Sequence, residues 1–326
     1  MPAEKKPLKA ALLLLLATVF WGLSFPAMKT LSQLQETLLP RGNSWFFASV
    51  SLTARFGLAA ALLAAWTCPT WGKMTRLELS QGLSIGFFGS AGILLQMDGL
   101  SYTPASTSAF LTQCYCILIP VGLAIHLRRW PSRTVSVSCA LVLAGVAILS
   151  QFNWSEMQLG RGEWETVLAS LFFTGQILLL NRPQYAANNS ARMTLVMFAA
   201  TAFFLFPVAW FSADRPADLV VALNSRPALI LTLLLTAFCT VGAYGIMNFW
   251  QPHISTTHAG LIYCAEPVFA SGFALFLPGW FSQLAGVSYP NESLSPRLIA
   301  GGLLITAANI LLLVREASQP DPIDTP

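Results

Sequence analysis

Charge is what this chain of 326 residues has least of: Asp, Glu, Lys and Arg make up 10% of it, against roughly a quarter in an ordinary soluble domain. So little charge cannot coat a water-soluble globule of this length. The balance, 18 Lys and Arg against 14 Asp and Glu, is a formal +4 spread along the chain. It forms no basic patch, so nucleic acid is not an expected partner. All six cysteines, Cys68, Cys114, Cys116, Cys139, Cys239 and Cys264, lie in or beside apolar runs, which argues against a disulfide framework or a thiolate metal site. His126, His253 and His258 lack the spacing of converging ligands, so neither a metal nor any other cofactor is expected. P-loop, HExxH and GxSxG motifs are missing too. That removes ATP-driven pumping by this chain alone and gives no reason to expect an enzyme.

What the chain has in abundance is apolar length, with 55% hydrophobic residues and a mean hydropathy of +0.62. About 20 apolar residues in helix span the roughly 30 Å of a bilayer core. Ten such segments are expected, near residues 8–29, 44–66, 77–100, 104–127, 132–151, 163–181, 191–212, 227–250, 256–278 and 296–314. The fold class is all-α, a polytopic membrane protein of ten transmembrane helices. Lys5, Lys6 and Lys9 before Leu12 to Leu16 imitate a signal peptide, but no small-residue cleavage pattern follows; the first segment reads as an uncleaved helix. With the N-terminus inside, inner segments hold eleven Lys and Arg and outer ones six. Cytoplasmic loops carry that excess, so both termini are expected in the cytoplasm and the protein in the cell (inner) membrane. The tail, 315–326, has three prolines and few apolar residues and is expected to be disordered.

The sequence also repeats itself. A shift of 150 residues lays 96–120 over 246–270, with Met97, Thr107, Ala109, Leu111 and Cys114 meeting Met247, Thr257, Ala259, Leu261 and Cys264. A shift of 152 lays Ala17 to Phe20 over Ala169 to Phe172. The unit is five helices, 8–151 and then 163–314. Five is odd, so the second copy enters the membrane from the opposite side. Inverted repeats of this kind build secondary transporters that expose a midplane site alternately to each side.

Several stretches resemble the EamA-like branch of the drug/metabolite transporter superfamily. Phe20-Trp21-Gly22-Leu23-Ser24-Phe25 followed by Lys29 is similar to its W-G-x-x-F…K pattern, and Arg55-Phe56-Gly57-Leu58-Ala59 to its R-F-x-x-A pattern. Glu266-Pro267-Val268 is similar to E-P-V, and Glu292-Ser293-Leu294 with Leu298 to Ile305 to its g-E-x-L…l-i-G-g-x-L-I signature. Two departures stand out: Arg129 occupies the place of the acidic residue in the first half, and about thirteen extra residues, Gly279 to Asn291, precede Glu292 as an outer loop. The resemblance implies ten helices in two homologous halves and transport of a small organic solute through a cavity lined by the first, third, fourth, sixth, eighth and ninth helices.

Among residues that carry chemistry, Glu266 comes first. It falls about ten residues into its helix, near the midplane at 1.5 Å per residue, and intramembrane charge usually faces an interior or a watery cavity. Pro267 beside it leaves the Tyr263 carbonyl without its helical donor, so a carboxyl, a backbone oxygen and the Tyr263 hydroxyl share one depth. That set suits an amine-bearing solute or a proton; the alternative is a structural pair with Arg55. Arg55 itself reads first as a tie between helices, because guanidinium is suited to bidentate bonds. Asp98 and its repeat partner Asn248 read as helix caps, with gating as the alternative. Trp21 and Ser24 share a face of the first helix with Phe25 and Met28, and the repeat sets Gln176 opposite Ser24 and Gln113 opposite Tyr263. This face either lines a solute path or packs. Gly82, Gly86 and Gly89, and Gly301 with Gly302, read as close helix contacts.

The function expected is secondary transport, in the export direction by resemblance, of a small metabolite such as an amino acid or amine, with proton linkage as one means of drive. Partners are the solute, the bilayer, protons and, in a homodimer, a second copy. An exchanger of anionic metabolites is the alternative, and a membrane enzyme or receptor-like protein a remoter one.

Overall fold

The computed structural model describes residues 5–102, 108, 111–128, 130–149 and 160–316. Arg129 and residues 317–326 of the expected tail fall outside them, while Arg315 and Glu316 belong to the last helix. The first half contains α1 (Lys5–Leu38), α2 (Ser44–Thr67), α3 (Arg76–Tyr102), α4 (Tyr115–Leu127) and α5 (Arg133–Leu149). The second contains α6 (Arg161–Leu180), α7 (Ser190–Ser212), then α8 (Arg226–Leu234) running through a π-helical stretch, Leu235–Gly242, into α9 (Ala243–Trp250). It ends with α10 (Thr256–Tyr263), α11 (Glu266–Ala274), α12 (Leu277–Ala285) and α13 (Pro296–Glu316). The expected segments overlap these helices or runs of helices, with residues 104–107 and 109–110 of the fourth and 150–151 of the fifth outside the described residues. Among the described residues five helices suffice by length and apolarity to cross a membrane singly, and the α10–α12 run, bent by 62°, makes a sixth. Large apolar side chains such as Trp66, Phe203 and Phe211 are exposed, as a lipid-facing surface requires. The chain is an all-α polytopic membrane protein.

Three expectations need correction. The first helix runs nine residues beyond its expected end at 29, through Pro26, with the Thr30 hydroxyl donating to the Pro26 carbonyl at 2.8 Å; Lys29 therefore sits on a helix and not in a loop. The expected ninth helix, 256–278, is broken at Cys264 and Ala265. The extra residues after Gly279 are in large part helical, since α12 carries the chain to Ala285, where Gly286 at φ +69° closes it. Asn291 Oδ1 accepts from the Gly279 N–H, and the Glu292 N–H donates to the Ala274 carbonyl at 2.9 Å, so the segment folds back on the end of α11.

Packing follows the repeat. α1 lies against α9 and α11, and α6 lies against α3 and α4; α2 pairs with α7 and α5 with α13. Exchanging the first five segments for the second five maps this set of neighbours onto itself. Small residues allow the closest approaches. A Cβ added at Gly86 would lie 2.7 Å from the Ala200 Cβ and 3.0 Å from the Met197 carbonyl oxygen, so α3 and α7 touch backbone to backbone. Gly82 meets Val196 in the same seam, and Gly145 meets the Gly301 carbonyl where α5 crosses α13.

The face of the molecule that holds Lys5 is called here the amino-terminal face. On it, Glu78 of α3 takes a bidentate pair from Arg192 of α7, at 2.5 and 2.9 Å, plus the Asn189 N–H. On the far face Arg161 of α6 pairs with Asp98 and Glu165 and stacks over the Tyr102 ring.

Candidate functional site

The interior site grows out of two broken helices. In the second repeat the helix stops at Tyr263, tightens through Cys264 N–H to Leu261 and Ala265 N–H to Ile262 carbonyl bonds, and restarts at Glu266. Pro267 suits that restart, because a first-turn proline has no N–H to lose. In the first repeat the same interruption stands at Gln113 and Cys114, with Cys114 N–H on the Leu111 carbonyl, before α4 begins at Tyr115. Interrupted helices at midplane depth are where secondary transporters hold solute.

Between these breaks lies a cavity of about 60 Å³, room for a few water-sized groups. Trp21, Ser24 and Met28 of α1 form one wall, and Phe173, Gln176 and Ile177 of α6 form the wall opposite. The 152-residue shift pairs Trp21 with Phe173 and Ser24 with Gln176, so the two walls are repeat equivalents. Arg55, Tyr115, Tyr244, Tyr263 and Glu266 also line it, as do Ile93, Gln96, Thr112 and Met247. The Trp21 ring meets those of Tyr244 and Tyr263 edge-on, with centroids 5.5 and 5.3 Å apart.

Charge in this cavity is arranged asymmetrically. Arg55, 2% exposed, donates to the Thr240 hydroxyl, to the Cys239 carbonyl at 2.8 Å, and to Met28 Sδ at 3.6 Å. It thus ties α2 to the π-helical stretch, through neutral acceptors. Glu266 faces the same cavity, and the ion pairs among the described residues all lie elsewhere. The two charges share a cavity without pairing. Around them the buried Trp21 Nε1, Gln176 Nε2 and Tyr115 hydroxyl have no hydrogen-bond partner among the described residues. Buried polar atoms are rarely left so; three of them converge on this one cavity.

The other expected residues are dispersed. Gln113 is buried just outside the lining, its Oε1 unpartnered. Asp98 caps no helix end; it pairs with Arg161 on the far face. Asn248 donates to the Thr194 hydroxyl at 3.0 Å and holds α9 to α7. Sequence reasoning missed Phe173, although the repeat that supplied Gln176 also sets Phe173 opposite Trp21. Tyr115 and Tyr244 carried no such signal.

The cavity's two ends differ. Toward the far face, Met28 also borders a second cavity, about 160 Å³, lined by Lys29, Gln33 and Glu36 of α1 with Leu100 and Ser101 of α3. The Lys29 ammonium donates to the Leu100 carbonyl at 3.3 Å. Toward the amino-terminal face a hydrogen-bonded plug closes the way. There Tyr263 OH donates to Gln251 Oε1 at 2.9 Å, Gln251 Nε2 donates to the Ile177 carbonyl and Asn181 Oδ1, and Asn181 Nδ2 donates to the Ile254 carbonyl.

The cavity thus lies between two interrupted helices, and the comparisons with known proteins bear on the chain as a whole. Residues 8–151 match the EamA-like transporter family. The match covers 144 of the 326 residues. Over 314 residues, 95% of the chain and 87% of the relative, the sequence is 25% identical to an uncharacterized transporter of Archaeoglobus fulgidus. The fold is similar to that of a protein of known crystal structure, with a TM-score of 0.65 and 15% identity, over 95% of this chain and 98% of that one. The matched segment and the relative both fit the drug/metabolite transporter superfamily. The chain is a multi-pass membrane transporter.

Proposed function

We propose that the chain is a secondary transporter of a small zwitterionic metabolite, of the amino-acid kind, working by alternating access between its two five-helix units, 8–151 and 163–314. The observation that carries this reading is the unpaired couple in the central cavity: Arg55 offers a guanidinium to a carboxylate, and Glu266 a carboxylate to an ammonium. Trp21 Nε1, Gln176 Nε2 and the Tyr115 hydroxyl supply further polar contacts, and the aromatic walls suit an organic body. Drive by a proton gradient assigns Glu266 a second duty, binding a proton in the step in which it releases solute. Export follows from the family likeness, and cytoplasmic termini from the bias of Lys and Arg. Arg55 in the lining also favours the second reading, exchange of anionic metabolites.

Counterflow in proteoliposomes separates them. An amino acid is compared with its decarboxylated and its deaminated analogue, the side chain held constant. A zwitterion carrier loses about tenfold or more on removal of either charge, the scale of a charge-assisted hydrogen bond. An anion exchanger keeps the deaminated acid as a good substrate. Equal transport of all three rejects the paired-charge site.

A further inference from the structure

The plug on the amino-terminal face has a mirror image in the sequence. The two shifts that relate the repeats carry Asn181 onto Lys29, Gln251 onto Ser101 and Tyr263 onto Gln113. In the second repeat these positions are joined by hydrogen bonds. In the first they are not: Lys29 and Ser101 line the 160 Å³ vestibule, and the Gln113 Oε1 is buried without a partner, in a side chain only 1% exposed. One set is engaged and its repeat equivalent is apart.

We propose that Lys29, Ser101 and Gln113 form the far gate, and that it closes by the contacts of the plug transposed to the first repeat. In that state the Ser101 hydroxyl donates to Gln113 Oε1, as Tyr263 now donates to Gln251, and the Lys29 ammonium swings from the Leu100 carbonyl to Ser101, as Asn181 now meets Gln251. Met28, which borders both cavities, is the partition that a solute passes. The closed far gate and the amino-terminal plug exclude one another, because α1 and α3 approach on one face as α6 and α9 part on the other. This rests on the alternating-access reading above and on nothing about the solute.

The test is disulfide formation in the full-length protein between Lys29→Cys and Ser101→Cys, its rate followed by mass spectrometry. The pair reports the state in which the far gate is shut. Adding Tyr263→Phe, which deletes one hydroxyl of the plug, shifts the population toward that state and is expected to speed cross-linking about fivefold, the effect of one buried hydrogen bond on a population ratio. Gln251→Ala is expected to do at least as much. Asn248→Ala loosens α9 from α7 outside the plug and is the control for general softening. An unchanged rate in both plug variants overturns the proposal, as does equal acceleration by Asn248→Ala. Should Gln251→Ala fail to fold, Tyr263→Phe alone decides. Because cross-linking needs no solute, a gate that behaves as stated in a protein that carries no zwitterion leaves this inference standing and rejects the function.

Discussion

Glu266 and Arg55 face one cavity but serve it differently, and substitution separates their parts. Among the described residues the Glu266 side chain makes no hydrogen bond or ion pair between helices, so Glu266→Gln is expected to fold with near wild-type thermal stability. If it couples protons, the variant keeps solute exchange but loses accumulation driven by a pH gradient, since an amide does not titrate. If it anchors an ammonium, affinity falls by more than about 1 kcal/mol. Counterflow and gradient-driven uptake, measured on the same preparation, read both; wild-type values in each leave Glu266 without a role. Arg55 is a tie as well as a lining group. Arg55→Ala leaves the Cys239 carbonyl and the Thr240 hydroxyl short of a buried donor, at about 1 to 3 kcal/mol for each group left unsatisfied. The expected result is a lower melting temperature together with lost affinity. Full affinity in a destabilised but folded Arg55→Ala would confine the residue to its structural part.

At the scale of elements, the interruptions in the two repeats and the glycine seams are what place the site. Gly86→Val would force α3 off α7, because the new side chain meets Ala200 and the Met197 carbonyl well inside contact distance. Overpacking of this kind costs about 1 to 3 kcal/mol, so folded yield should drop, whereas Gly272→Val, where a Cβ meets nothing within 4 Å, should be nearly neutral. The returning segment after α12 carries a pH effect. Burial raises the Glu292 carboxyl above its ordinary range, so the folded state binds that proton more tightly than the unfolded one. Stability is then highest below the unfolded carboxyl value and declines as the pH climbs through the folded one. Glu292→Gln is therefore expected to match wild type near pH 4 and to melt higher at pH 8. A parallel pH dependence of the two melting curves would contradict this.

For the whole molecule, the charge bias predicts an orientation that labelling tests. A membrane-impermeant thiol reagent applied to intact cells is expected to label a cysteine placed at Ser288, in the segment after α12, and to spare one at Ser132, between α4 and α5. The reverse pattern inverts the molecule, and with it the meaning of the plug. With the expected topology the plug seals the cytoplasmic side and the vestibule leads outward. In the opposite topology the same arrangement would leave the proposed carrier open to the cytoplasm.

Much of this was legible in the linear sequence, for identifiable reasons. Apolar runs of bilayer length located the helices, because lipid leaves the backbone few other structures, and a repeat of odd helix number implied inversion. The same repeat set Ser24 opposite Gln176, and a midplane carboxyl beside a proline marked Glu266. Where the sequence misled, the cause was tertiary. Asp98 looked like a cap until the fold brought Arg161 across 63 residues to meet it. Arg55 read as a tie between helices, and it is one, but the partners are a carbonyl and a hydroxyl of the π-helical stretch rather than the Glu266 carboxylate weighed as an alternative. Which of two equivalent gates is shut is beyond any sequence, because both sets of residues are always present. It is decided by how the two halves lean on one another, a choice made by packing and hydrogen bonds among residues as much as 74 positions apart.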